Sequence, residues 1–342
     1  MSAPPAPHGS PMSPGRALVA VLVLVPLIVS FALWAFVWPA ARTAPREVPI
    51  GLAGPAAATA PVQDKLTRAG DSFDVHRYSD EAQARDAIEQ RDVYGAIVVT
   101  PDGPKALTAS AASPLVAQLL QTTVTQMAGG SAQSDAPPVS DVVATPQGDP
   151  RGTAFSTSAL PLAIGGVAAG TLIFMLGLRG TRALVALVSA AALIGLVATT
   201  LTHSWLEVLG GNWWAEAGAL SLSALALSSI VAGMAMFMGT AGIGIGALLA
   251  VMLGNPFSGV TSAPQMLPEP FGAIGQWLPP GAGGSLLRSV SFFDGNAMTQ
   301  PALILSGWAL AGLTLVAVNG WRNRTGAHSS STSPEYVPAS AA

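Results

Sequence analysis

The side chains able to do chemistry in this chain are few and scattered. His8, His76, His203 and His328 lie far apart, and none has a carboxylate at metal-ligand spacing. Cysteine is absent, which excludes thiol catalysis, zinc-thiolate sites and disulfides but leaves the compartment open. Two acid pairs, Asp80 with Glu81 and Asp71 with Asp74, are close enough for general acid-base work, yet they sit in polar stretches where a solvated face is the expectation. The serines of "FSTSA" and "SSSTSP" have linker or tail composition, and no GxSxG elbow occurs. "GLAG" (51–54), "GIGIG" (242–246) and "GAGG" (281–284) lack the Lys and Ser/Thr that complete a phosphate loop. These residues point to no catalytic site, no cofactor site and no metal site, so an enzyme is not expected.

The chain that carries them is built for a bilayer. Only 10% of its 342 residues are charged and half are apolar, against roughly 25% charged in soluble domains. A net charge of −3, with no basic block, excludes nucleic acid as a partner. Residues 17–38 are uncharged throughout and match the roughly 20 residues a membrane-crossing helix needs. This run is longer than the apolar part of a signal peptide and lacks a good cleavage site, so an uncleaved span is expected. Further spans are expected at 157–178, 183–202, 217–238, 241–262 and 301–319, giving six in a one-plus-five arrangement. "GGVAAG" sets Gly166 and Gly170 at the spacing that lets helices approach closely.

Between the first span and the rest lies a stretch of different character. Residues 40–156 hold 9 Lys or Arg and 13 Asp or Glu, most of the charge in the chain. "VPIGLAG", "FDVHRY" and "YGAIVVT" read as strands, with "KALTAS" a further candidate. They alternate with helices in "APVQDKLTRAG", "SDEAQARDAIEQRD" and "SPLVAQLLQTTVTQMA". In the second helix Ser79 or Asp80 can cap the first turn, and Ala84, Ala87 and Ile88 form an apolar stripe. Ser113 and Pro114 open the third as N-cap and N1. Alternating elements predict a small α/β layer domain over 40–128. Residues 129–156, rich in Gly, Pro, Ser and Asp, read as a linker with at most one short strand around 139–144.

Short-loop charges set the expected orientation. "RGTR" (179–182) and "WRNR" (321–324) are basic, whereas "HSWLEVLGGNWWAE" (203–216) carries two acids and three tryptophans. Both termini, a disordered 1–16 and a disordered tail 320–342, are therefore expected in the cytoplasm, with 40–156 outside. No ionisable group is expected inside the spans, which disfavours an ion-driven carrier. Six prolines between 256 and 280 prevent a continuous helix there. Residues 256–300 therefore read as an outer re-entrant or interfacial segment, with "GSLLRSVSFF" a short amphipathic helix whose Arg288 points to headgroups or water. Pro279, Pro280, Gly281, Arg288 and Asp294 are candidates for an outer gate or exit. Arg179 and Arg182 are candidates for contacts with an inner partner.

The layout of one span, an α/β domain and five spans resembles the ABC-2 type permease superfamily, especially its YhgE/Pip (phage infection protein) branch. "EAQARDAIEQRDVYGAIVVTPDG" is similar to the helix, turn and apolar strand of such permeases. "QWLPPGAGGSLLRSVSFFDG" resembles the Pro and Gly bearing segment before their last span. The resemblance implies a plasma-membrane subunit of a bacterial exporter of hydrophobic or amphipathic compounds such as lipids, drugs or envelope precursors. It also implies a homodimer or a heterodimer with a related permease, powered by a separate ATP-binding chain and in contact with membrane lipids. The Pro-rich start and the four-residue "RGTR" loop depart from the interface helix and coupling loop usual there. They favour the alternative, a non-transporting surface protein whose outer domain binds a partner, such as a phage receptor or an envelope accessory factor.

Overall fold

The first apolar run folds as α1 (Pro14–Ala41), with Pro at its first turn, where a missing backbone N–H costs nothing. The computed structural model describes residues 13–68, 70–127 and 139–329. The starts and ends expected to be disordered fall largely outside them, as does much of the 129–156 linker. Most of α1 is exposed apolar surface, from Leu18 to Val37. It meets the rest of the protein near its end, where Trp34 packs edge-on against Phe257 and Trp38 against Phe271.

The charged stretch forms an α/β domain. Its elements are β1 (Val48–Ala53), α2 (Ala56–Arg68), β2 (Phe73–Tyr78), α3 (Glu81–Glu89), β3 (Gly95–Thr100), β4 (Gly103–Thr108), α4 (Pro114–Met127) and β5 (Val139–Asp141). The sheet order is β2-β1-β3-β4-β5, parallel except for the β3–β4 hairpin. β1 is buried along nearly its whole length, as a parallel strand with helices on both faces must be. One face packs Ile50, Leu52 and Ile97 against Leu66 of α2 and Val116 and Leu120 of α4. The other packs Ala96 and Val98 against Ala84, Ala87 and Ile88 of α3. Asp80 is the cap of α3: its carboxylate accepts from Gln83 N at 3.0 Å, and that bond holds its carboxyl below the usual range. Ser113 Oγ accepts from Val116 N at 3.3 Å and caps α4 in the same way.

The second half is helical: α5 (Thr153–Met175), α6 (Thr181–Thr199), α7 (Trp213–Met238), α8 (Thr240–Ala247), α9 (Phe271–Trp277), α10 (Pro279–Phe292) and α11 (Thr299–Ser329). α6 runs on as a π-helical stretch to Trp205, and α8 as another to Gly254. α7 is the hub, packed by α5, α6, α10 and α11. Small residues allow the approach. A Cβ on Gly170 would lie 2.4 Å from Ser228 O, and one on Gly312 2.4 Å from the Ser229 carbonyl carbon.

α1, α5, α6 with its extension, α7 and α11 as far as Arg322 are each long and apolar enough to cross a membrane. The expected span at 241–262 takes another form. Its helix ends at Gly254 after about 20 Å, short of the roughly 30 Å hydrocarbon core, with Gly242 packed on Met234 at the end of α7 and Gly254 on Pro280 of α10, and turns complete the stretch. Pro256, with no N–H to give, and the turns after it stop the ladder. α11 also continues to Ser329, past the expected end of the last span and into the stretch expected to be disordered. The loop expected over 203–216 is shorter, because α6's extension takes in His203 and α7 takes in Glu216.

Candidate functional site

The expected gate residues divide between two environments. Pro279 and Pro280 start α10 as its first residues and are buried with Gly281. A Cβ on Gly281 would lie 2.1 Å from Gly275 O, so α9 and α10 touch backbone to backbone. Asp294 is exposed, just past α10, with a positive φ of 50°. Arg288 departs from expectation. It is 5% exposed, buried in protein rather than directed to headgroups or water. Part of the segment from 256 to 298 is covered by the α/β domain, while Ile274, Trp277 and Met298 remain exposed.

That cover is made by specific contacts. Ala44 N donates to Met266 O at 3.1 Å and Arg46 N to Gln265 O at 3.0 Å. The Tyr94 hydroxyl donates to Gln265 Oε1 at 3.0 Å, and Asn296 Nδ2 to Glu89 O at 3.0 Å. Met266 and Ala263 complete the core on one face of the sheet, and Phe293 completes the other.

At this junction two arginines converge. Arg91, at the end of α3 with φ 65°, reaches across to α10 and donates to Ser285 O at 3.1 Å and to Ser289 Oγ. These groups flank Arg288 on its own helix. Arg288 donates from Nη2 to Val260 O at 3.0 Å and stacks over the Phe155 ring at 4.9 Å, while its buried Nε has no hydrogen-bond partner. The two guanidiniums feel each other's charge. Neither has a carboxylate partner among the described residues. Burial pushes the Arg91 guanidinium down and the Tyr94 phenol up, since each charged form loses water there.

Arg91, Tyr94 and Arg288 line an open chamber of about 740 Å³ together with Gln265, Gln276 and Ser285. Gln276 is fixed by bonds to Ser258 O and from Ser285 Oγ, both at 2.6 Å. Beside it runs an apolar groove of about 700 Å³ along α11, lined by Leu303, Gly307, Trp308 and Ala311. Chamber and groove share Trp277, Gln300 and Ile304 as a common wall. Trp308 is held in place by its indole N–H, which donates to Trp277 O at 2.8 Å. A polar volume, with the guanidiniums of Arg91 and Arg288 on its inner wall and the carboxylates of Glu47, Asp74 and Glu269 on exposed side chains, opens beside an apolar one and can accommodate a molecule that is polar at one end only.

Glu216 is another buried polar side chain that sequence reasoning missed. It is fully buried at the start of α7, accepting from Gly211 N at 2.9 Å and paired with His203 Nδ1 at 2.8 Å. Arg179, on the turn between α5 and α6, and Arg182, at the start of α6, stand exposed at the opposite end of the helices. Arg179 Nη1 reaches Asn319 Oδ1 at 3.4 Å, and this turn packs on α11 at Gly180 and Gly320. No group of three His, Cys, Asp or Glu side chains able to hold a metal occurs among the described residues.

A multi-pass membrane protein with an α/β insert between its first two long apolar helices is the class these features define. Residues 16–178, which span α1, the α/β domain and α5, match the family described as ABC-2 family transporter protein. The match supports the ABC-2 permease superfamily, whose members are the membrane components of transporters. No curated protein matches the chain, and no solved structure does.

Proposed function

We propose that the chain is the membrane-spanning permease subunit of an ABC-2 exporter for hydrophobic or amphipathic compounds, driven by a separate ATP-binding chain. The observation that carries this reading is the match over α1, the α/β domain and α5, joined to a chamber and an apolar groove that meet at one wall. The YhgE/Pip branch, with its large α/β insert after the first span, is the kind of permease we have in view. Basic residues at the α5–α6 turn and after the last span support termini in the cytoplasm of a bacterial cell and the α/β domain outside its plasma membrane. The bare apolar length of α1 is suited to lipid and to a second permease subunit in a homodimer or heterodimer. Arg179 and Arg182 would then face the ATPase, and the chamber would stand on the exit side.

The test is to purify the tagged protein from its native membrane in mild detergent and measure vanadate-sensitive ATP hydrolysis. A stoichiometric ATP-binding chain is expected, with hydrolysis lost on combining Arg179→Ala with Arg182→Ala. A preparation free of any ATPase, under conditions where a known exporter retains its own, would sink the reading.

A further inference from the structure

We infer that the chamber binds the head of an anionic amphiphile at Arg91 and Arg288 while its hydrocarbon chain lies in the groove along α11. This deepens the exporter reading and rests on it for the role of that molecule as cargo; binding itself rests on the geometry alone.

Burying a guanidinium away from water is unfavourable unless an anion or a full set of acceptors replaces the lost hydration. Arg288 has neither: one carbonyl and one ring face serve it, and its Nε is buried without a partner. Arg91 is committed to a carbonyl and a hydroxyl, both neutral, which places a second positive charge against the first. An oxyanion in the chamber would relieve the repulsion; because Arg288 Nε has almost no accessible surface, its bonds would come from guanidinium Nη atoms on the wall. The other charged groups on the wall do not supply that anion. Glu47, Asp74 and Glu269 are exposed side chains, and Arg46 is bonded to the carbonyls of Arg42, Ala44 and Met266.

The chain end follows from the groove. Its lining from Thr299 to Ala311 is almost wholly apolar and extends for roughly 18 Å of helix. A small free anion would have no use for it. A neutral hydrocarbon would leave the guanidiniums unmatched. A molecule with net negative charge at one end and an acyl chain at the other satisfies both volumes, and their shared wall at Trp277, Gln300 and Ile304 lets it occupy them together.

Trp308 makes the test direct, because bromine on an acyl chain quenches an indole only near contact. Detergent-purified full-length protein is titrated with phosphatidylglycerol or phosphatidylcholine brominated on the chain, and the Trp308 share is isolated by comparison with Trp308→Phe. Phosphatidylglycerol should quench at concentrations at least about tenfold lower than phosphatidylcholine, since one buried and one half-buried cation select for net charge. Arg91→Gln should erase that preference. Gly307→Leu, at a position where an added Cβ meets open space, should block quenching by both lipids without disturbing the fold. Arg288→Gln serves as a third variant if it folds, and the inference does not depend on it. Equal quenching by the two lipids, unchanged by Arg91→Gln, would overturn the inference and leave ordinary boundary lipid. Displacement of the brominated lipid by equimolar inorganic phosphate, but not by matched chloride, would also overturn it in favour of a free-phosphate site. Selective quenching without any ATPase partner would retain the site and remove the exporter reading, whereas a copurifying ATPase with no lipid preference would do the reverse.

Discussion

At the end of the helices that carries the α/β domain, Arg91 and Arg288 sit within protein, braced by carbonyls, hydroxyls and aromatic faces. At the opposite end Arg179, on a short turn, and Arg182, at the start of α6, stand in the open, the first with a long contact to Asn319. The same side chain thus appears in two settings with different costs. An exposed arginine on a membrane turn costs almost nothing and serves topology or a passing partner. A buried one opposes folding, so its retention argues for a role that water or a neutral side chain would not fill. The backbone follows the same division: α9 and α10 are packed without room for a methyl group at one end, while Gly177 at the other has open space around it.

This contrast can be broken by substitution. The largest effect is expected at Gly281→Ala, whose new methyl would overlap Gly275 O and cost at least about 3 kcal/mol. Gly177→Ala, with φ of 68° and no neighbour, should cost about 1 kcal/mol. Thermal melting in detergent compares them, and equal losses would remove the distinction between a packed end and an open one. Next comes Glu216→Ala, which strips an acceptor from Gly211 N and a partner from His203 and should cost about 2–3 kcal/mol. Glu216→Gln, which keeps one acceptor oxygen, should lose less. Asp80→Ala removes the cap of α3 and should be visible as faster amide exchange in α3 while α5 to α7 are unaffected.

A smaller, pH-dependent effect is expected at Glu81. Hydrogen bonds from Lys105 at 2.7 Å and from Arg85 at 2.8 Å hold its carboxyl below the usual range. Because the folded pKa is the lower one, this stabilisation is complete above the unfolded value and disappears as pH falls through the folded value. The group is a third exposed, so the contribution should stay under about 1 kcal/mol. Comparison with Glu81→Gln at neutral and acid pH measures it, and an identical acid response in both would show the pairs to be energetically idle. The smallest effect on stability belongs to Arg179→Ala with Arg182→Ala, at less than about 0.5 kcal/mol. A large destabilisation there would mean that the exposed turn is structural after all.

The α/β domain was legible because its signals are local. Alternating and continuous apolar runs placed β1 to β3, and the acid-rich start of "SDEAQARDAIEQRD" placed α3 with its Asp80 cap. Gly170 likewise announced its close approach to α7. The chamber was not legible, because its contacts join residues distant in the chain: Arg91 meets Ser289 across 198 positions. Within "GSLLRSVSFF" a single arginine on an apolar helix has the pattern of a side chain reaching for water, and nothing local tells that pattern from a buried cation met by another domain. His203 and Glu216 stood in a stretch whose polarity reads as loop, and the extension of α6 and the early start of α7 brought them together. Over 241–262 uniform hydropathy concealed a local stop: the helix ends at Gly254, just before Pro256.

The way the 256–298 segment completes both faces of the sheet has a consequence for biosynthesis. Met266 fills one core and Phe293 the other, yet both are translated long after β5 has emerged. The domain between the first two long helices is therefore complete as sequence before the residues that finish its cores are made. Until the chain has been made past residue 293, each core of the sheet lacks the contacts that Met266 and Phe293 supply.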